Sequence, residues 1–366
     1  MAKILFLVNH SITIYNFRLE LVQALLKQGH RVIVSSPYGD RIDDLIEEGC
    51  EFKDIEISRH GMNPIKESAL IAKYIKLIKE VKPDVVLAYT IKPNIYGGIA
   101  CSLTNTPYIV NVTGLGTAIE NGGFIQKILC MLYKVSLRKA HKIFLQNTYN
   151  AAFFEEKGLY KQKHHIIPGS GVNLQHFSVM NYPEDTENIK FLMIARVMKD
   201  KGADEYISAA KALKEKYSNI EFHICGLCEE EYKAQLDEIK GKDIIIYHGM
   251  VNDVRTILKD THCTVLPSYH EGMPNVLLES AACARPIITT NIPGCCETFD
   301  EGVTGFGCKV KSTQSLIEAI EKFLDLSYEE KIQMGKAGRD KIEKRFDRQI
   351  VVKAYLKEIN TLLSKR

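Results

Sequence analysis

Glu271-Gly-Met-Pro-Asn-Val-Leu-Leu-Glu279 is flanked by two apolar runs, Cys263-Thr-Val-Leu-Pro267 before it and Pro286-Ile-Ile-Thr-Thr290 after it. Short apolar runs bounded by turn residues read as buried strands. Between them Pro274 and Asn275 mark a helix start, since proline is favoured in a first turn, and helix is expected through residue 282. The unit is therefore strand, glycine-containing loop, helix, strand. Its loop offers backbone N–H groups at the positive end of a helix, a ready anion site. Glu271 stands before that helix and Glu279 more than one turn inside it, so the two carboxylates reach different parts of one elongated ligand. A carboxylate accepts well from sugar hydroxyls and poorly tolerates phosphate. Phosphate at the amides and hydroxyls at both ends describe a nucleotide sugar, with Gly272, Met273, Pro274, Asn275, Val276 and Leu277, the loop and helix start between the two glutamates, expected to bind the donor.

Outward from this unit the same alternation continues. Strands are expected at 4–9, 31–36, 85–89, 108–112, 142–147 and 165–168, and again at 191–197, 221–225, 244–248, 264–267 and 286–290. Helical patterns such as 17–27 and 69–81 fall between them. Alternating strand and helix predicts doubly wound parallel sheets, with ligands at the C-terminal strand ends. The polar, non-periodic stretch 177–189 reads as a linker between a first domain, 1–176, and a second, 190–345. Residues 311–366 turn helical as two or three helices, the last of which, 346–366, can return to the first domain.

At 366 residues the chain exceeds one ordinary core and suits two domains. Its 45% hydrophobic and 25% charged content is that of a globular protein. No stretch nears the roughly 20 apolar residues of a membrane span, and the N-terminus lacks the features of a secretion signal. The ten cysteines sit mostly in apolar surroundings and read as reduced thiols. Cys225-Gly-Leu-Cys228 has metal or redox spacing but no second pair to complete a zinc site, so a strand end with a tight glycine turn accounts for it. The net charge of +3 is unevenly shared, with 21 Lys/Arg against 15 Asp/Glu in residues 1–180. The excess gathers in 124–142, which holds five Lys/Arg, no acids and apolar residues at helical spacing. That pattern suits either an anionic membrane surface or a core helix with a basic outer face. No nucleic-acid partner is expected.

Ala195-Arg196 ends a predicted strand and is followed by Lys201-Gly202, so that two cations converge where a diphosphate would sit. Pro168-Gly-Ser-Gly-Val-Asn173 carries Gly169 and Gly171, either as cleft lining or as a hinge. Taken together, the E-x7-E string, Arg196-x4-Lys201-Gly202 and the Gly-Val-Asn stretch resemble retaining GT-B glycosyltransferases of family GT4. In the first half His10-Ser-Ile-Thr-Ile-Tyr-Asn16-Phe-Arg18 stands where family members often have a Gly-Gly pair. Together with Ser58-Arg59, Asn63-Pro64, Lys92-x-Asn94 and Gly114-Leu-Gly116, it is similar to a bacterial subgroup that extends lipid-diphosphate-linked sugars. Gly114-x-Gly116 lacks the third glycine of a dinucleotide fingerprint. Many family members carry a histidine in the loop that here reads Thr90-Ile-Lys-Pro-Asn94, so no catalytic role transfers from it.

The resemblance implies an α/β GT-B fold of two Rossmann-like domains facing a cleft. It implies transfer, with retention, of a sugar (an N-acetylhexosamine is expected) from a UDP-sugar to a polyprenyl-diphosphate-linked saccharide such as an undecaprenyl-diphosphate-linked sugar. In this reading Arg196, Lys201 and Glu271 are the catalytic group, Glu271 on the donor sugar and Glu279 on the ribose. Gly169 and Gly171 line the donor site, while His10, Asn16, Arg18, Arg59, Asn63, Lys92, Asn94, Gly114 and Gly116 line the acceptor site. No cofactor and no metal are expected, and the enzyme would work on the cytoplasmic face of the plasma membrane. The alternatives are a UDP-sugar 2-epimerase of the same architecture and a non-catalytic binder of lipid-linked sugar.

Overall fold

A computed structural model describes residues 1–57, 64–114, 122–160, 164–184, 188–240 and 243–365. The chain forms two compact units, one of Met1–Ser170 with Arg348–Arg366 and one of Gly171–Asp347. The first contains strands β1 (Lys3–Leu7), β2 (Arg31–Ser36), β3 (Glu51–Asp54), β4 (Val85–Tyr89), β5 (Tyr108–Val112), β6 (Lys142–Leu145) and β7 (His164–Ile166). They form one parallel sheet in the order β3-β2-β1-β4-β5-β6-β7. The second unit contains β8 (Ile189–Ile194), β9 (Ile220–Cys225), β10 (Ile246–Tyr247), β11 (Cys263–Leu266), β12 (Ile287–Thr290) and β13 (Gly305–Cys308), ordered β10-β9-β8-β11-β12-β13 and also parallel.

Both sheets are covered on both faces, so their central strands, such as β1, β4 and β8, carry runs of apolar residues rather than alternate ones. In β1, Leu5 and Leu7 enter one core cluster, and Ile4 and Phe6 enter another on the opposite face. In β8, Phe191 and Met193 face one cluster, and Leu192 and Ile194 the other. Strand order reverses between β1 and β4 and again between β8 and β11, and ligand crevices in such sheets open at these switch points.

Two strands escape a reading by hydrophobic pattern. β3 is a short edge strand of mixed polarity, Glu-Phe-Lys-Asp. β13 reads Gly-Phe-Gly-Cys, which looks like a turn. A Cβ on Gly305 would lie 2.1 Å from the Ile287 carbonyl oxygen, and one on Gly307 would lie 2.1 Å from Asn291 Oδ1. The close approach of this edge strand to its neighbours is what requires glycine.

The expected linker is corrected. The boundary falls at Ser170/Gly171, and the described part of 177–189 packs on the second unit. Phe177 is buried there and its carbonyl accepts from Arg339 Nη1 at 2.8 Å, while the Tyr182 hydroxyl donates to the His262 carbonyl at 3.0 Å. Polar composition hid this, because the segment is held through its backbone and through single aromatic anchors rather than by a periodic apolar face. The final helix, Arg348–Leu363, counts with the first unit. Arg348 pairs with Glu20 at 2.9 Å, and Tyr355 packs on Phe144 with centroids 4.5 Å apart while accepting from Asn111 Nδ2 at 2.6 Å.

Candidate active site

The second unit gathers its site from the loops that follow β8, β11 and β12. After β8 the chain passes Arg196 and a single 3-10 turn, Lys199–Lys201, then enters helix Ala203–Lys216 through Gly202 at φ 74°. A Cβ on Gly202 would stand 2.1 Å from the Pro267 carbonyl oxygen, so only glycine lets the loops after β8 and β11 touch. The Tyr269 amide then bonds the Asp200 carbonyl at 2.9 Å. The result is a direct ion pair, Lys201 Nζ to Glu271 Oε1 at 2.5 Å. Ser268 Oγ donates to the same oxygen at 2.8 Å. Neither carboxylate nor ammonium is more than about a quarter exposed, with side chains 12% and 26% accessible.

Several groups hold Glu271 in place. Thr290 Oγ1 donates to the Ser268 carbonyl at 2.6 Å, and the Tyr269 hydroxyl meets both oxygens of buried Glu205 at 2.8 and 2.9 Å. Gly294, at φ 84°, brings the loop after β12 against Glu271 and Gly272, where a Cβ would lie 2.8 and 2.6 Å from their carbonyl oxygens. The next residue, Cys295, is fully buried. Its thiol is pushed up to about 12, chiefly by burial and secondarily by the Glu271 charge. Ser268, Tyr269, Glu205, Gly294 and Cys295 were not legible as site residues. Only Ser268, three positions before Glu271, carries a local signal.

Helix Asn275–Ala282 follows directly, with Pro274 as its N-cap and no side chain capping its first turn. Its leading amides are thus presented for an anion. Asn275 Oδ1 is buried without a hydrogen-bond partner. Glu279 lies half-buried within the same helix. Two residues of the 272–277 stretch offer no side chain to a ligand. The Leu277 side chain is fully buried in the core and its amide already bonds the Pro274 carbonyl, and the Met273 side chain packs in the same cluster. Their places in the motif come from packing. Arg196 is more than half exposed and turned to Glu229, 3.1 Å away.

Cys225 and Cys228 are free thiols raised by burial, and the glycine between them explains their spacing. A Cβ on Gly226 would lie 2.0 Å from the Ala195 carbonyl oxygen. Among the described residues no cluster of His, Cys, Asp or Glu could hold a metal.

Gly169 and Gly171 both adopt positive φ, 59° and 65°, on either side of the boundary between the units. In the first unit, His10 follows β1, Asn16 is exposed and Gly114 follows β5, whereas Arg59, Asn63 and Gly116 lie outside the described residues. Arg18 is corrected. It is 2% exposed, wedged over the rings of Tyr89 and Tyr355 at 5.2 and 5.7 Å, and its Nη1 donates to the Phe17 carbonyl. Asn94 is likewise buried at 1%, donating to the Asn111 carbonyl at 2.7 Å. Both side chains are thus engaged within the first unit, and each keeps one buried polar atom, Arg18 Nε and Asn94 Oδ1, without a hydrogen-bond partner. Lys92 pairs with Glu67 at 2.5 Å.

Residues 3–147 match the family model "Glycosyl transferase 4-like", and residues 178–341 match "Glycosyl transferases group 1". The chain is 28% identical over 374 residues to the N,N'-diacetylbacillosaminyl-diphospho-undecaprenol alpha-1,3-N-acetylgalactosaminyltransferase of Campylobacter jejuni, covering 97% of each chain. It is also 28% identical to the UDP-Gal:alpha-D-GlcNAc-diphosphoundecaprenol alpha-1,3-galactosyltransferase of Escherichia coli, over 80% of this chain and 78% of that one. In fold it is similar to Anabaena HepE, solved in complex with UDP and glucose, with a TM-score of 0.80 at 16% identity over 99% of this chain and 100% of that one. Two parallel sheets reversing at a switch point, joined to these matches, make the chain a GT-B hexosyltransferase, with a glycosyl transferase 4-like first unit and a group 1 second unit.

Proposed function

We propose that the enzyme moves an N-acetylhexosamine from a UDP-sugar to a polyprenyl-diphosphate-linked saccharide, with retention of configuration and without a metal. The observation that carries this reading is the Lys201–Glu271 pair beside an uncapped helix N-terminus. On arrival of the donor, the diphosphate takes the helix amides and Lys201, and the Glu271 carboxylate is released to the hydroxyls of the donor sugar. Glu279, farther along the helix, accepts from the ribose. Fixed cations and amides stabilise the departing diphosphate in the way a metal would. The acceptor class follows the Campylobacter and Escherichia relatives, both named for diphospho-undecaprenol-linked sugars. An assay of radiolabelled UDP-N-acetylhexosamines with short-chain polyprenyl-diphosphate sugars, run in EDTA, tests the reading. Product is expected at undiminished rate. Loss of product restored by magnesium or manganese would remove the metal-free mechanism.

We also propose that the enzyme works at an anionic membrane surface. Helix Gly123–Leu137 buries Leu129, Tyr133, Ser136 and Leu137 and leaves Phe124, Met131 and Val135 exposed at 76, 61 and 54%. Exposed Lys127, Lys134 and Arg138 accompany them. The basic run is shorter than its sequence suggests. Lys142 belongs to β6, where it pairs with Glu358 at 3.1 Å, and Lys139 donates to Ser102 and Asn105 at 3.0 Å each. Apolar side chains with basic neighbours suit insertion among anionic headgroups. Sedimentation with phosphatidylglycerol liposomes should weaken as salt rises, and the Gln triple variant of Lys127, Lys134 and Arg138 should stay in the supernatant. Equal sedimentation of wild type and variant would count against the surface role.

A further inference from the structure

Beyond the C-terminal ends of β3 and β4 the first unit holds a cavity of about 480 Å³ whose walls include Ile57, Glu67, Ala69, Leu70 and Lys92. Its position matches the strand ends at which such sheets bind ligands, and its size is that of a small-molecule site. Two of its lining residues form the buried ion pair, Lys92 Nζ to Glu67 Oε1 at 2.5 Å, with side chains 12% and 10% exposed. Glu67 Oε2 is buried and has no hydrogen-bond partner. Taking an ion pair out of water is unfavourable unless its remaining hydrogen-bonding capacity is filled, and here one oxygen is left over.

We propose that this cavity seats the acetamido group of a 2-acetamido pyranose, as part of the acceptor saccharide. A secondary amide presents a donor and an acceptor side by side, and the ion pair presents their complements. The amide N–H donates to Glu67 Oε2, the amide oxygen accepts from Lys92 Nζ, and the methyl group lies against Ile57 and Leu70. Glu56 and Glu67 oppose a phosphate here while Lys66, Lys73 and Lys92 attract it, so charge alone does not select the occupant and pyrophosphate is the competitor to be beaten. A plain hydroxyl leaves the apolar wall unmatched. The inference rests on the transferase reading for the word acceptor, but the pocket itself is testable without turnover.

The experiment is saturation-transfer NMR on the full chain with methyl 2-acetamido-2-deoxy-glucopyranoside, beside methyl glucopyranoside, inorganic pyrophosphate as competitor, and calorimetric titration of UDP. The acetamido sugar is expected to bind, with the strongest transfer at its acetyl methyl, and the glucoside to bind at least about ten-fold more weakly. Glu67→Gln, which forfeits a charge-assisted bond, should weaken the acetamido sugar by at least about ten-fold. Ala69→Trp should do the same by filling the cavity from an exposed wall position, without touching the ion pair. Equal binding of the two glycosides, wild-type binding by Ala69→Trp, or displacement of the sugar by pyrophosphate at comparable concentration would overturn the assignment. UDP that fails to bind while the acetamido sugar still does would count against the donor reading and for the pocket.

Discussion

Replacing Lys201 with alanine is expected to lower turnover at least ~100-fold, the scale of losing one preorganised donor to a developing anion. Lys201 is positioned by more than its own side chain. Gly202 permits the contact with the loop after β11, and the bond from the Tyr269 amide to the Asp200 carbonyl fixes the residue beside it. Its ammonium already rests on Glu271, so in the free enzyme the two charges neutralise each other inside a partly buried site. In the proposed mechanism donor binding exchanges that partner for phosphate, and the charge that develops on the leaving diphosphate is greatest in the transition state. The loss should therefore fall on kcat more than on KM. Arg196→Ala should move in the same direction, through the loss of a cation that must leave Glu229 to act. The measurement is steady-state kinetics with calorimetric UDP affinity. Near-normal turnover in Lys201→Ala would take this residue out of the mechanism.

The largest effect on stability is expected from Arg285→Met. Arg285 is 0% exposed, and its guanidinium donates to carbonyl groups of three separate segments. Nε bonds Leu258 at 2.9 Å, Nη1 bonds Cys283 at 3.2 Å, and Nη2 bonds Asn181 at 2.7 Å and Lys259 at 3.1 Å. Burial lowers its pKa from the ordinary arginine value, an effect opposed by the Cys283 and Tyr182 side chains. Methionine fills a similar volume but removes every one of these donors; the Leu258 and Cys283 carbonyls keep the Thr261 and Met180 amides, whereas those of Asn181 and Lys259 lose the Arg285 donor. Each orphaned acceptor costs about 1–3 kcal/mol, so a loss of at least ~2 kcal/mol is expected, a sizeable part of the 5–15 kcal/mol typical of a folded protein. Lysine should rescue little, because a point charge cannot reproduce a planar fork. Urea unfolding followed by circular dichroism reads the shift, and a loss below about 1 kcal/mol would show that these bonds are replaced by water.

Arg285 also shows where sequence reading stops. It stands between the glutamate motif and a strand, where an arginine looks exposed, and only the approach of two distant backbone segments, at Asn181 and at Leu258–Lys259, reveals it as their common donor. Arg18 and Asn94 mark the same limit from the other side. Arg18 lies in the helix after β1 and Asn94 in the helical turn after β4, both in segments that follow strand ends, so both read as ligand contacts. Arg18 is buried against Tyr89 and Tyr355 and Asn94 against the Asn111 backbone, so much of their polar capacity is used within the fold. No local pattern separates a polar group reserved for a ligand from one already committed to the fold.

Most strands and helices, β3 and β13 apart, the parallel sheets and the placing of Glu271 before a helix were written in local pattern. A strand buried on both faces must be apolar throughout, a helix start admits proline, and these constraints act on neighbours in the chain. What the tertiary structure alone decided was which residues meet across it. Lys201 and Glu271 are joined over 70 positions through a glycine contact, and Glu67 and Lys92 form a buried pair between a helix and the end of β4. The polar stretch at 177–184 proved to be part of the second unit. Pairing, burial and the completion of hydrogen bonds depend on distances between segments remote in sequence, and those distances exist only once the sheets are assembled.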